Sequence, residues 1–258
     1  IISRDTIDAL SASTVADITA NLSINSGSEN NVDSFTSGAT QGTGNVNLRG
    51  LGLTSTLVLL DGKRHTLAGI AANDGSVFVN TNIIPVNAIE RVEVLKEGAA
   101  SVYGSDAVAG VVNYIFRRDF EGIEVDVSSQ EADLGGQTDD KVSVIFGTPL
   151  GNGNLVVAVS SLDRSPLFGS AFNPSLVPLG ISGFGTSFLA FGGGTVESGP
   201  YAGTYSFLEN IPDPNCIANK GILLPQASGQ RCGFFFGDRF NLVNDEDHLN
   251  TYTSFKTE

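Results

Sequence analysis

The densest run of titratable side chains lies in IERVEVLKEG, residues 89 to 98, which carries Glu90, Arg91, Glu93, Lys96 and Glu97. Carboxylates beside cations are common material for general acid–base catalysis. Their neighbours argue against that use. Val92, Val94 and Leu95 are strand formers, and Gly98, Ala99, Ala100 and Ser101 supply small side chains where the strand would stop and a short helical turn begin. A charged strand running into tiny residues suits close packing of backbones better than proton transfer. Other reactive residue types are sparse. His65 and His248 are the only histidines, and a lone histidine is more often a surface or hydrogen-bonded residue than a ligand. No G-x-S-x-G, H-E-x-x-H or C-x-x-C pattern occurs. GFGTSFLAFGGG, residues 183 to 194, has the glycines of a phosphate loop without its closing Lys-Ser/Thr, and Phe184, Phe188 and Phe191 make it an aromatic-bearing surface segment. No catalytic residue, metal ligand or cofactor is therefore assigned, and the chain is not read as an enzyme.

Composition narrows the class. With 14 Lys+Arg against 28 Asp+Glu the formal net charge is −14, which disfavours nucleic acid because phosphate neutralisation needs a basic face. The length of 258 residues allows one large domain or two ordinary ones. Glycine is abundant at 31 residues and helix-forming charged residues are scarce, which favours strands and turns. No apolar run reaches the roughly 18 residues of a spanning helix, whereas a spanning β-strand needs only about 9–11 alternating residues. Residue 1 is Ile and the sequence contains no Met, so the start of the reading frame is expected upstream. Cys216 and Cys232 share one Pro/Gly/Asn-rich stretch and are expected to form a disulfide that staples it, a weak pointer to an oxidising compartment.

The elements that must position these residues change character along the chain. Residues 3–10 and 14–22 read as short helices, the second opened by Thr14 with Asp17 three residues on, a capping-box pattern. Residues 25–44 are polar and loop-like. The apolar run at 57–60 meets Asp61-Gly62, a hairpin signal, and further strands are expected at 91–96 and 111–117, with a longer loop at 67–82. Beyond residue 119 the period becomes two: Ile123, Val125 and Val127 alternate with Glu124, Asp126 and Ser128. Val142, Val144 and Phe146 repeat this, as do Leu155, Val157 and Val159, although Val156, Ala158 and Leu162 blur the polar face. Leu249 and Phe255 make a fainter fourth segment. Ile123, Val125, Val127, Val142, Val144 and Phe146 are expected on one face of one antiparallel sheet. Segments of this length suit a membrane barrel or a soluble sandwich. A short turn at 148–154 and a very long connection at about 164–247 favour the barrel, whose turns are short on one side of the membrane and long on the other.

NLRG with LVLLDGKRH, followed by IPVNAIERVEVLKEGAASVYGSDAVAGVVNYIFRR, resembles the plug domain of TonB-dependent outer-membrane receptors, densely and in order over residues 45–118. The shared marks are an Arg-Gly strand, a V-L-x-D-G turn and an I-E-R-[IV]-E-V-L signature that runs on to Y-G and G-V-[IV]-N. Many members have Leu-Arg-Gly where this chain has Leu95, Lys96, Glu97 and Gly98. The resemblance implies an α+β plug over 1–118, followed over 119–258 by the first strands, about four, of an antiparallel transmembrane β-barrel with a long extracellular loop. Such barrels have about 22 strands, so the resemblance implies that the chain is a fragment of its receptor.

The resemblance also implies roles. Gly50, Gly62, Gly98, Gly104 and Gly110 would let plug backbone pack closely, and Arg49 and Arg91 would latch the plug to carboxylates of the barrel interior. Asn73, Asp74 and Phe78 would present a loop to substrate at the outer face. The partners implied are TonB, through a box upstream of Ile1, outer-membrane lipid and a small nutrient such as an iron chelate, cobalamin or a carbohydrate, in the outer membrane of a Gram-negative bacterium. Two other classes stay open: a surface binding or signalling protein without transport, and a soluble periplasmic enzyme.

Overall fold

A computed structural model describes residues 1–29, 40–96, 100–133, 136–172, 181–182, 187–226, 229–235 and 241–257. They form two compact units, Ile1–Leu167 with Asn241–Glu258, and Phe168–Phe240. The first unit begins with β1 (Ile2–Ser3), α1 (Arg4–Ala9) and α2 (Val15–Ala20). Both helices start where a hydroxyl replaces missing helical partners: the Thr6 amide donates to Ser3, and in the capping box at Thr14 the Thr14 amide donates to Asp17 at 2.7 Å. β2 (Thr56–Leu60) turns into β3 (Lys63–Arg64), then come β4 (Ile89–Leu95), a helical turn α3 (Ala100–Tyr103) and β5 (Gly110–Phe116). Their order in the sheet is β1-β4-β5-β2-β3, with β2 and β5 parallel and the other pairs antiparallel. The strand expected at 91–96 is thus present and starts two residues earlier. Asp61 and Gly62 both take positive φ, +47° and +75°, the conformation a two-residue hairpin needs.

The second part of this unit is a four-stranded antiparallel sheet ordered β9-β8-β7-β6, from β6 (Gly122–Glu131), β7 (Thr138–Leu150), β8 (Gly153–Arg164) and β9 (Glu246–Thr257). Only Gly151 and Asn152 separate β7 from β8. Ile123 stands opposite Phe146, Val125 opposite Val144 and Val127 opposite Val142, so these six side chains share one face, as expected. That face is bare: Ile123 is 69% and Val127 72% exposed. Across β8 and β9 it continues through Val157, Val159, Leu249 and Phe255.

The plug covers the opposite face over β7 and β8, while Glu124, Asp126 and Gln130 on the inner side of β6 stay exposed. Ile145, Val156 and Ala158 are fully buried and belong to the same core as Ile7, Val15, Ile18, Val92, Val112 and Tyr114. The apparent blur at Val156, Ala158 and Leu162 therefore has a cause: their alternate face meets an apolar plug instead of water. The expected boundary at residue 118 falls within this shared core, and plug and wall form one unit. Tyr252 of β9 stacks on Phe116 at the end of β5, with ring centroids 4.4 Å apart.

The long connection between β8 and β9 differs from the simple loop expected. Residues Phe168–Phe240 form their own unit, with short strands such as Ser187–Leu189, Asn210–Pro212, Ile222–Gln226 and Gly229–Phe235 paired in one sheet. Short strands broken by Gly and Pro leave no run long enough to show a period. Within it Cys216 and Cys232 are joined by a disulfide, both buried, with Cα atoms 5.8 Å apart. Phe184 lies outside the described residues.

The glycines divide by cause. At Gly110 a Cβ would come within 2.6 Å of the Leu95 carbonyl and 2.7 Å of Leu48, a true close approach. Around Gly62 and Gly104 space is open, and around Gly50 a Cβ would meet only ordinary contacts, so close packing is not their role; their positive φ is. Gly98 lies outside the described residues. Sequence reasoning missed Gly147, whose Cβ would fall 1.9 Å from the Phe120 carbonyl where the chain leaves the plug.

Two outcomes follow for stability. Gly110→Ala should cost about 2 kcal/mol or more, since the new methyl meets backbone, whereas Asp106→Ala, at an exposed salt bridge with Arg64, should leave the midpoint nearly unchanged; denaturant melts of both check this. Burial pushes the Tyr114 phenol well above its ordinary range. Because its folded value is raised, its contribution is full below the unfolded value of about 10 and is lost as pH rises above that. Alkaline melts should therefore show a steeper loss of stability in the wild type than in Tyr114→Phe.

Candidate functional site

The chemistry of this molecule is concentrated where plug meets wall. Inward residues of the sheet form rows across the strands. The row at the end near the long connections is Gln130, Asp139, Arg164 and Glu246, aligned by register. Arg164 is 8% exposed and binds Asp139 through two parallel bonds, Nε to Oδ1 at 2.8 Å and Nη2 to Oδ2 at 2.6 Å, while Nη1 reaches Glu246 at 3.3 Å. A guanidinium fits this fork as an ammonium does not. Glu246 also meets His248 Nε2 at 3.2 Å, so this histidine is a hydrogen-bonded neighbour of the network. His65 stays local, its Nδ1 3.0 Å from the Thr66 carbonyl. Among the described residues no group of three or more His, Cys, Asp or Glu could hold a metal ion.

The next inward row brings Lys141, 9% exposed, to the plug, where its Nζ donates to the Ala12 carbonyl at 2.9 Å. Gln130 donates to Ser11 O at 3.0 Å, and Asn250 to Asn82 O at 2.9 Å. In the other direction Asn87 of the plug donates to Val159 O at 3.2 Å. Toward the opposite end the contacts turn ionic. Arg117 forks onto Glu124 at 2.9 and 3.0 Å and lies over the Phe120 ring, Asn154 donates to the carbonyls of Arg118 and Phe120, and Lys256 pairs with Asp119 at 2.7 Å. Arg118 pairs with Asp61 at 2.7 Å, which ties the β2–β3 turn to this exit. Inside the plug Arg4 grips the carbonyls of Val86 and Ile89 at 2.9 Å each and pairs with Asp8, whose carboxyl that hydrogen bond holds below the usual range.

The residues singled out from sequence sit elsewhere. Arg91 pairs with Glu93 on its own strand at 2.8 Å, and Arg49, at φ +60°, donates to Lys96 O at 2.5 Å. Both bonds are internal to the plug. Asn73 and Asp74 are exposed in a tight turn: the Asn73 amide donates to Glu29, and the Ser76 amide to Asp74 at 2.8 Å. Phe78 is a correction. It is 3% exposed and packs with Leu53 and Ala72, so it supports the loop from below and presents nothing outward. Lys141, Arg164 and Gln130 were missed, yet one signal was available: each shares the parity of Glu124 and Ser143 on alternating strands, the parity opposite to Val125 and Val142.

Residues 1–111 match the family model described as TonB-dependent Receptor Plug Domain. The chain is 42% identical over 78 residues to the iron-regulated outer membrane virulence protein of two Vibrio cholerae serotype O1 strains, a stretch that is 30% of this chain and 12% of theirs. The matched stretch thus spans about an eighth of those relatives. Among solved structures, the ferric enterobactin receptor PfeA of Pseudomonas aeruginosa with enterobactin is 21% identical, over 72% of this chain and 28% of that one, at a TM-score of 0.45. The siderophore receptor PirA of the same organism is 25% identical, over 58% and 26%, at 0.37. Residues 1–111 are a TonB-dependent receptor plug domain, and the chain carries it in front of antiparallel wall strands.

Replacing one member of the Arg164 network tests its weight. Arg164→Met should cost about 3–5 kcal/mol, because Asp139 and Glu246 would be left buried without their cation, while Lys256→Met, at an exposed pair, should cost about 0–1 kcal/mol. Equal losses in equilibrium unfolding would contradict the assignment.

Proposed function

We propose that this chain forms the plug and first wall strands of an outer-membrane receptor that takes up an iron chelate in a Gram-negative bacterium, energised by TonB acting on a segment upstream of Ile1. One observation carries the reading: a single apolar core joins the plug to the inner face of a sheet whose outer face is predominantly apolar, from Ile123 to Phe146 and on through Val157 and Val159 to Leu249 and Phe255. A soluble protein would have to cover that outer face, whereas lipid covers it at no cost in hydrogen bonding. The relative named for iron regulation supports an iron chelate over other nutrients. The plug does no covalent chemistry here; it blocks the lumen and yields when pulled.

In this reading Arg49 and Arg91 exchange their local partners for carboxylates on further strands. Asn73 and Asp74, at the exposed tip of their turn, meet the chelate, with Phe78 bracing them from beneath. The acidic groups of the wall rows keep the lumen side hydrated.

The test is disruption of the gene in its own organism, followed by uptake of radiolabelled ferric chelates under iron limitation. Loss of uptake of one chelate, reproduced by removing TonB, is the expected result. Unchanged uptake of all chelates, with loss of surface binding alone, would overturn transport in favour of a binding or signalling role. Loss of cobalamin or carbohydrate uptake instead would overturn the iron assignment.

A further inference from the structure

Besides the shared apolar core and the bonds at Asn82 and Asn87, the plug meets the wall through polar contacts of two kinds, and we propose that one of them is a releasable catch: the turn between α1 and α2, residues 10–14, held shut by Lys141 and Gln130 of the wall. At the exit of the plug, Arg117–Glu124 and Asp119–Lys256 are ion pairs, and the chain itself runs on into β6. The plug cannot leave there. At the α1–α2 turn the wall reaches only backbone carbonyls, Lys141 to Ala12 and Gln130 to Ser11. Along β6 the catch, at Gln130 and at Lys141 opposite Ser128, lies four to six residues from Glu124, about 13–20 Å at ~3.3 Å per residue. A fixed exit and a separate catch make a hinge and a latch.

Breaking the catch strands no charge on the plug, because a carbonyl that loses its donor needs only water. The lysine that lets go is also provided for. Behind the turn lies a cavity of about 330 Å³ between α1 and strands β6 and β7, lined on one side by Arg4 and Asp8 and on the other by Glu124, Asp126 and Lys141. Water and carboxylates there can take up the freed ammonium, which an apolar pocket could not. The turn is already under tension: Ser11 sits at φ +49°, a left-handed conformation unusual for a residue other than glycine. Release of this turn would join the cavity to the lumen along the α1 side of the plug. Only that last consequence rests on the uptake reading; the catch itself does not.

Hydrogen exchange of the receptor purified from outer membranes tests it. In Lys141→Met the amides of residues 10–14 should exchange about tenfold faster, the order a lost charge-assisted hydrogen bond allows. Gln130→Ala, at an exposed donor that folding does not depend on, should accelerate the same amides about threefold. Lys256→Met should leave them unchanged. The proposal is overturned if neither wall variant accelerates residues 10–14, or if the whole plug accelerates equally. A receptor that takes up no chelate, yet shows the selective acceleration, would sink the uptake reading and leave the catch standing.

Discussion

Everything in this unit depends on one sheet having two environments. Because side chains alternate across a strand, each residue of β6 to β9 is committed to one face, and a slip of one position would exchange the faces entirely. Val125 and Val144 face outward while Ile145 and Ala158, on the other parity, are sealed beneath the plug. The plug needs that surface as much as the sheet does. Its helices bury Ile7, Val15 and Ile18 in a core that Ile145, Val156 and Ala158 help to complete. Folding the two as one unit follows directly, since neither inner surface could face water without exposing a large apolar patch.

Polar groups on the inner face then decide register. Arg164 reaches Asp139 on one neighbour and Glu246 on the other only when three strands are aligned as they are. A buried cation adds little net stability, but misalignment would leave it unpaired, which is costly. Lys141 does the same between wall and plug with a single carbonyl. Close approaches of backbone complete the fit: at Gly147 and at Gly110 no side chain could be accommodated without displacing main chain. The ionic contacts at the plug exit and the carbonyl contacts near the α1–α2 turn are thus not interchangeable. Their different chemistry separates a fixed point from a movable one.

Much of this was legible in the sequence because it is local. The strand at Ile89–Leu95 lies between an X-Pro approach and a run of tiny residues, and the Thr14–Asp17 box announces its helix. The outward row from Ile123 to Phe146 is written directly in the period of two. What escaped depends on contacts distant in sequence. Val156 and Ala158 look like noise on a polar face until the plug is laid against them. Phe78 reads as a loop aromatic, and only the fold shows Leu53 and Ala72 beneath it. The strands of Phe168–Phe240 are too short to show a period, and their sheet is held in part by the Cys216–Cys232 bond. Arg49 and Arg91 drew attention through family motifs, whereas Arg164 and Lys141, buried cations that touch a wall carboxylate and a plug carbonyl, belong to no motif at all.

The central claim of the proposed function is that alternate residues of the wall meet lipid and plug. Single cysteines placed in turn at residues 123 to 128, carrying a fluorophore and challenged with a quencher confined to the acyl chains, read it most directly. The account predicts quenching at positions 123, 125 and 127 and protection at 124, 126 and 128. Uniform quenching, or the opposite alternation, would contradict it.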